Sequence, residues 1–335
     1  MQYDALFATA RNLMADEKGL LAMDESTPTA NKRFAARGIP TTEAARLAYR
    51  RLIVTAPGLA ESISGAILYD ETIRQTLPDG TPMAQALADR GIVPGIKVDA
   101  GTVALPGHAG ESLTEGLDGL GDRLGEYYAM GARFAKWRAV ITIGPGLPTR
   151  AAVEANMQQL ALYAACCQEA GLVPIVEPEV LMDGHHSLER CREVTTEVLH
   201  TLFDRLYRLD VFLPGTLLKP NMVLPGTDNR DAVSVEAAAE ATVTTLLRTA
   251  PAALGGIAFL SGGQSPDAAT AHLNAMHRDF GDRLPWPLTF SFSRAVQQPA
   301  LDAWGGDDAN TAEAQRLLVA YTARNRQARR GAYNP

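Results

Sequence analysis

Lys219 ends the apolar run Leu213-Pro214-Gly215-Thr216-Leu217-Leu218 and is followed at once by Pro220 and Asn221. The chain holds five lysines (Lys18, Lys32, Lys97, Lys136, Lys219) against twenty-six arginines. An arginine keeps its proton, whereas a desolvated lysine can lose one, attack a carbonyl and form a Schiff base. Such a lysine needs neighbours. Residues two apart in a strand share a face, so Lys136 and Arg138 point one way from one extended run, and Glu177 and Glu179 point one way from the next. The pattern sets two carboxylates beside the lysines of the flanking runs. A nearby cation lowers a lysine pKa, and a carboxylate within reach can carry the protons of carbinolamine formation and dehydration. Other residues suit an anion. Ser261-Gly262-Gly263-Gln264-Ser265 ends an apolar run and opens a helix at Pro266, which directs backbone N–H groups outward. Ser291, Ser293 and Arg294 end the next run, and Ser26, Thr27, Thr29, Lys32 and Arg33 form a third group.

To converge, these residues need a scaffold that gathers the ends of many strands. Eight strand-like runs carry polar or charged residues at or near their ends: Gly19 to Asp24, Gly65 to Asp70, Gly95 to Asp99, Phe134 to Val140, Leu172 to Val180, Thr216 to Asn221, Gly256 to Ser261 and Leu288 to Arg294. Between them, apolar residues recur at three and four over Glu43 to Val54, Leu117 to Met130, Ala151 to Ala170, Leu188 to Leu209, Val235 to Thr249 and Pro266 to His277. Strand-to-strand spacing of roughly forty residues suits eight strand–helix units, an α/β fold of the (β/α)₈ TIM-barrel type. A helix over residues 4 to 18 precedes the first strand, and a last helix over Thr311 to Ala328 is expected after the eighth. A doubly wound sheet would usually carry a GxGxxG turn after its first strand, and Met23-Asp24-Glu25-Ser26 stands there instead. No linker divides the chain, so residues 1–335 read as one domain. In such a barrel, chemistry collects at the C-terminal ends of the strands. Lys97, Lys136, Lys219 and Lys32 lie in, at or just beyond those ends.

Composition excludes several alternatives. At 335 residues, 46% hydrophobic and 21% charged, the chain can bury a large core. A formal charge of −7 argues against nucleic acid as partner. The basic cluster Arg324, Arg326, Arg329, Arg330 reads as a solvated face near a helix C-terminus. Neither a membrane-length apolar run nor a basic-then-apolar leader is seen, so a cytosolic protein is expected. Three cysteines, Cys166, Cys167 and Cys191, fit neither a disulfide framework nor a metal knuckle and are expected to be buried thiols. The six histidines show no HxH or HExxH spacing, so the chemistry is expected to need no metal and no cofactor.

Taken together, six stretches resemble class I fructose-1,6-bisphosphate aldolase over essentially the whole chain: Gly19 to Thr27, Pro94 to Asp99, Phe134 to Arg138, Pro174 to Glu179, Leu217 to Asn221 and Phe259 to Ser265. The resemblance implies that Lys219 forms the Schiff base with a ketose phosphate, that Glu177 is its acid/base, and that Lys136 and Glu179 support it. It implies that Asp24 takes the C4 hydroxyl proton as the C3–C4 bond breaks. Ser261, Gly262, Gly263, Ser291 and Arg294 would hold the C1 phosphate, while Ser26, Thr29, Arg33, Lys97 and Arg138 would line the other end. It also implies a homotetramer. Three departures stand out. Thr29 replaces a serine, Phe292-Ser293 replaces a tyrosine–glycine pair beside the C1 phosphate, and the chain stops at Tyr333-Asn334-Pro335 where the family often has a longer tail ending in a tyrosine. Tyr333 is expected to lie in a frayed end. The same chemistry on another ketose phosphate is the nearest alternative, and a binding scaffold is a further one. A scaffold would be expected to have lost chemical residues, whereas Asp24, Lys136, Glu177 and Lys219 are all present.

Overall fold

The structure, a computed structural model, describes residues 2–334 of the chain. Its strands are β1 (Gly19–Ala22), β2 (Ile63–Leu68), β3 (Val93–Lys97), β4 (Gly101–Ala104), β5 (Ser112–Glu115), β6 (Phe134–Ile141), β7 (Val173–Val180), β8 (Leu217–Leu218), β9 (Gly256–Phe259) and β10 (Leu288–Phe292). Its helices are α1 (Gln2–Leu13), α2 (Thr27–Ala35), α3 (Glu43–Val54), α4 (Asp70–Ile73), α5 (Met83–Ala88), α6 (Leu120–Ala129), α7 (Arg150–Glu169), α8 (Leu188–Arg208), α9 (Val235–Thr249), α10 (Pro266–Phe280), α11 (Arg294–Trp304) and α12 (Thr311–Arg329). Eight strands pair in parallel and close in the order β1-β10-β9-β8-β7-β6-β3-β2. This is the expected (β/α)₈ barrel, with α1 and α12 as extra helices.

The barrel strands are almost wholly buried, with intermediate positions only in β3 and β6, because helices cover their outer faces and side chains fill the interior. The lower interior is an apolar plug. Leu6, Ala10 and Leu13 of α1, with Met14 just after it, pack beneath Leu20, Phe134, Val173, Ile175, Leu217 and Ala258 from the strands. Phe134 in the plug and Phe290 in the core between the sheet and the helices both need room, and two glycines supply it. A Cβ at Gly95 would lie 2.2 Å from the Phe134 ring, and one at Gly19 would lie 2.3 Å from Phe290. Each ring, fully buried, contributes about 1.5–3 kcal/mol, so the small–large pairing stabilises closure.

Several elements differ from the sequence expectation. The β4–β5 hairpin was not foreseen, because its strands span four residues each and only one of their positions is buried. Helix α11 intervenes before α12, and its pattern is interrupted by Pro299. The sixth barrel strand shrinks to Leu217–Leu218. The arginine cluster of α12 is more than a solvated face. Arg329 donates to the carbonyls of Lys18 and Met14, Arg330 pairs with Glu17, and Arg324 lies 3.7 Å from Asp267. Tyr333 is not frayed: it is buried, and its N–H donates to Asn274 Oδ1 of α10 at 2.9 Å. Cys167 and Cys191 are buried free thiols, whereas Cys166 is partly exposed.

Candidate active site

Lys136 is the third residue of the eight-residue β6, so the sheet fixes its backbone on both sides. Lys219 sits one residue past β8, where the strand ladder ends. Its N–H still donates to Val176 O at 2.8 Å. Beyond it, Asn221 holds the departing chain: Oδ1 accepts from Val180 N–H at 3.1 Å, while Nδ2 donates to Thr195 Oγ1 at 3.2 Å. The -Lys-Pro-Asn- sequence thus stops the strand and anchors the chain as it leaves the barrel.

Glu177 of β7 lies between the two lysines. Its carboxylate is 3.1 Å from Lys219 Nζ through one oxygen and 3.1 Å from Lys136 Nζ through the other. Lys136 Nζ also meets Asp24 Oδ2 at 2.7 Å, just beyond the end of β1. All four side chains are nearly sealed from solvent. Burial by itself would raise the two acids, but Lys136 and Lys219 outweigh it and hold Asp24 and Glu177 below the usual carboxylate range. Burial likewise opposes charge on Lys136, and Asp24 and Glu177 overcome it, so Lys136 stays protonated. The cluster therefore holds ionised carboxylates able to accept protons, one permanent cation, and a second lysine at the strand end.

Glu179 does not join this cluster. It shares a face with Glu177, as the period of two requires, but its partner is the Arg138 guanidinium, so only one of the two predicted carboxylates stands beside the lysines. Lys97 Nζ meets Asp99 Oδ1 at 2.6 Å and lies over the Tyr69 ring. Asp99 Oδ2 accepts from the Arg138 N–H, which draws the ends of β3 and β6 together. Ser26 and Thr29 hydrogen-bond each other at 3.1 Å at the start of α2. Arg33 pairs with Glu25 and donates to Ser293 Oγ, on the β10 side of the mouth.

At that side Gly262 and Gly263 both take left-handed conformations, φ +58° and +92°, which expose backbone N–H groups at a cost few side chains tolerate. The Arg294 guanidinium lies 3.4 Å from where a Cβ on Gly263 would stand. Ser261 is buried nearby, and the Ser291 hydroxyl is buried without a partner among the described residues. Sequence reasoning missed Glu25. It sits outside any strand alternation, and the only signal was its place beside Asp24.

The class I fructose-bisphosphate aldolase family matches residues 5–335. The chain belongs to that family. It is 55% identical over 319 residues, 95% of each chain, to a probable class 1 fructose-bisphosphate aldolase of Xanthomonas campestris pv. campestris. It is 49% identical to the cytosolic fructose-bisphosphate aldolase 6 of Arabidopsis thaliana, over 98% of this chain and 92% of the relative. Its fold matches that of fructose-bisphosphate aldolase from Plasmodium falciparum, solved in complex with TRAP and a small-molecule inhibitor. The TM-score is 0.98 at 44% identity, covering all of this chain and 96% of the other. Family membership makes the chain a lyase, and the cluster around Glu177 lies where a barrel keeps its chemistry. Among the described residues no helix is long and apolar enough to cross a membrane, and no group of three or more His, Cys, Asp and Glu is placed to hold a metal ion.

Proposed function

We propose that the chain cleaves fructose 1,6-bisphosphate reversibly into glycerone phosphate and glyceraldehyde 3-phosphate through a Schiff base on Lys219. The observation that carries this reading is the Glu177 carboxylate set 3.1 Å from both Lys219 and Lys136 in a nearly dry site. Glu177 takes a proton from Lys219, whose free amine adds to the C2 carbonyl, and then returns a proton to the carbinolamine oxygen, which leaves as water. Lys136 keeps its charge throughout and steadies both carboxylates. Asp24, held ionised, accepts the C4 hydroxyl proton as the C3–C4 electron pair moves into the enamine. Protonation at C3 and hydrolysis of the resulting iminium then release glycerone phosphate. Gly262, Gly263, Ser261, Ser291 and Arg294 hold the C1 phosphate, and Lys97, Arg138, Ser26 and Thr29 serve the far end. Arg33 and Glu179 act by holding Glu25 and Arg138.

Borohydride with fructose 1,6-bisphosphate should trap one adduct on the Lys219 peptide, with activity unchanged by chelator. An adduct on another lysine, or activity lost to chelator, refutes the mechanism. Turnover of fructose 1-phosphate and tagatose bisphosphate, measured in parallel, sets the preference among ketoses. We also place the protein in the cytosol, as the Arabidopsis relative is named, and as a homotetramer on the family's pattern; fractionation and sedimentation test these.

A further inference from the structure

Ser293 is the N-cap residue of α11, yet its hydroxyl does not cap the helix. Five of the six other serine or threonine residues at this position behave ordinarily: Thr42, Thr149, Ser187, Ser234 and Ser265 each accept from an N–H three residues on, and only Ser26, paired with Thr29 at the mouth, also fails to cap its helix. Ser293 instead donates backward to Glu25 Oε1 at 2.6 Å, across to the loop after β1. Its oxygen accepts from Arg33 and from Gln297 Nε2, each at 3.3 Å. Gln297 also donates to the Ala22 carbonyl at the end of β1, at 2.6 Å. Glu25 is fixed from the other side by Arg50 at 2.7 Å. The serine therefore ties the β10–α11 turn to the β1–α2 loop, across the seam where the first and last barrel strands meet. By turning away, it also leaves the helix end without a side-chain cap.

We infer that Ser293 is a positioning residue for phosphate binding. Its bond to Glu25 sets the turn that carries Arg294; the Val296 N–H, which a capping hydroxyl would take, is held by the Ser293 carbonyl at 3.1 Å, and the Arg294 and Ala295 N–H groups are left open for a phosphate oxygen. The inference rests on the reading of this end as the C1-phosphate site. Ser293 touches no reacting atom, so the bond should act on affinity and leave the chemical step alone.

The test compares Ser293→Ala, Ser293→Thr and Arg294→Ala with fructose 1,6-bisphosphate and fructose 1-phosphate as substrates. Ser293→Ala should raise KM about tenfold for both ketoses, as loss of a hydrogen bond to a charged group would, with kcat within about twofold. Inhibition by inorganic phosphate should weaken by the same factor, and Ser293→Thr, which keeps the hydroxyl, should restore most of the loss. An unchanged KM in Ser293→Ala while Arg294→Ala raises it overturns the inference alone. A rise confined to the bisphosphate, or a fall in kcat that accompanies lost thermal stability, does so too. An unchanged KM in Arg294→Ala overturns the location of the phosphate and the inference with it. If Ser293→Ala does not fold, Ser293→Gly removes the same hydroxyl and is held to the same outcomes.

Discussion

Glu177→Gln keeps the shape of a side chain placed 3.1 Å from two ammonium groups and removes its charge. In the parent site Asp24 and Glu177 balance Lys136 and Lys219; in the variant two buried lysines share one carboxylate. At an effective dielectric near 20, a unit-charge contact at this range is worth on the order of 4 kcal/mol, and Lys136 keeps one with Asp24 at 2.7 Å. The variant should thus still fold and still present the Lys219 amine. What it loses is the group that shuttles protons through the carbinolamine, typically worth about 10²- to 10⁴-fold in rate. Rapid-quench borohydride trapping measures Schiff-base formation directly and should show that loss in the trapping rate as well as in kcat. Glu179→Gln is the internal control. It lies on the same strand and face but contacts Arg138, and its turnover should fall less than tenfold. Trapping within tenfold of the parent in Glu177→Gln, or an equal loss in Glu179→Gln, refutes the assignment.

Lys219→Arg should keep a buried cation and lose turnover to the assay floor, because guanidinium cannot deprotonate to attack; measurable adduct formation would contradict this. Lys97→Ala should cost about tenfold or more in kcat/KM for the bisphosphate and little for fructose 1-phosphate, which lacks the C6 phosphate; equal losses would mean the two ends are misplaced. Deleting Gly331 to Pro335 removes the docked Tyr333 and should lower stability by about 2 kcal/mol in denaturant titration, with cleavage turnover changed less than threefold. Glu25 is held at about 2 against an ordinary 4.5, since Arg50 and Arg33 outweigh its burial. A carboxylate depressed on folding stabilises above its unfolded pKa, so this contribution, on the order of 3 kcal/mol, is full above about pH 4.5 and fades as pH falls toward 2. Acid unfolding of Glu25→Gln should lack that component of the slope.

Much of this site was legible because it lies on strands. The period of two put Lys136 and Arg138 on one face and Glu177 and Glu179 on another, and the barrel rule carried them to a common rim. The same reasoning stopped short at Glu179, since a shared face does not say which neighbour a long side chain will choose. Glu179 was captured by the guanidinium two residues beyond Lys136. The hairpin after Lys97 stayed hidden because its strands are short and mostly solvated, and α11 because a proline interrupts its pattern. Tyr333 was misread because a terminal residue gives no local sign of the pocket on α10 that receives it.

The apolar plug beneath the site gives the barrel only one door. With α1 sealing the base and the Phe134 ring filling the floor, the sugar, both products, the expelled water and every exchanged proton of the proposed reaction share a single entrance. Traffic that cannot be separated in space must be ordered in time. The aldehyde has to clear the mouth before anything arriving from solvent can reach the enamine it leaves behind, and in the synthetic direction the ketone must be seated first because an aldehyde already in place would block its way.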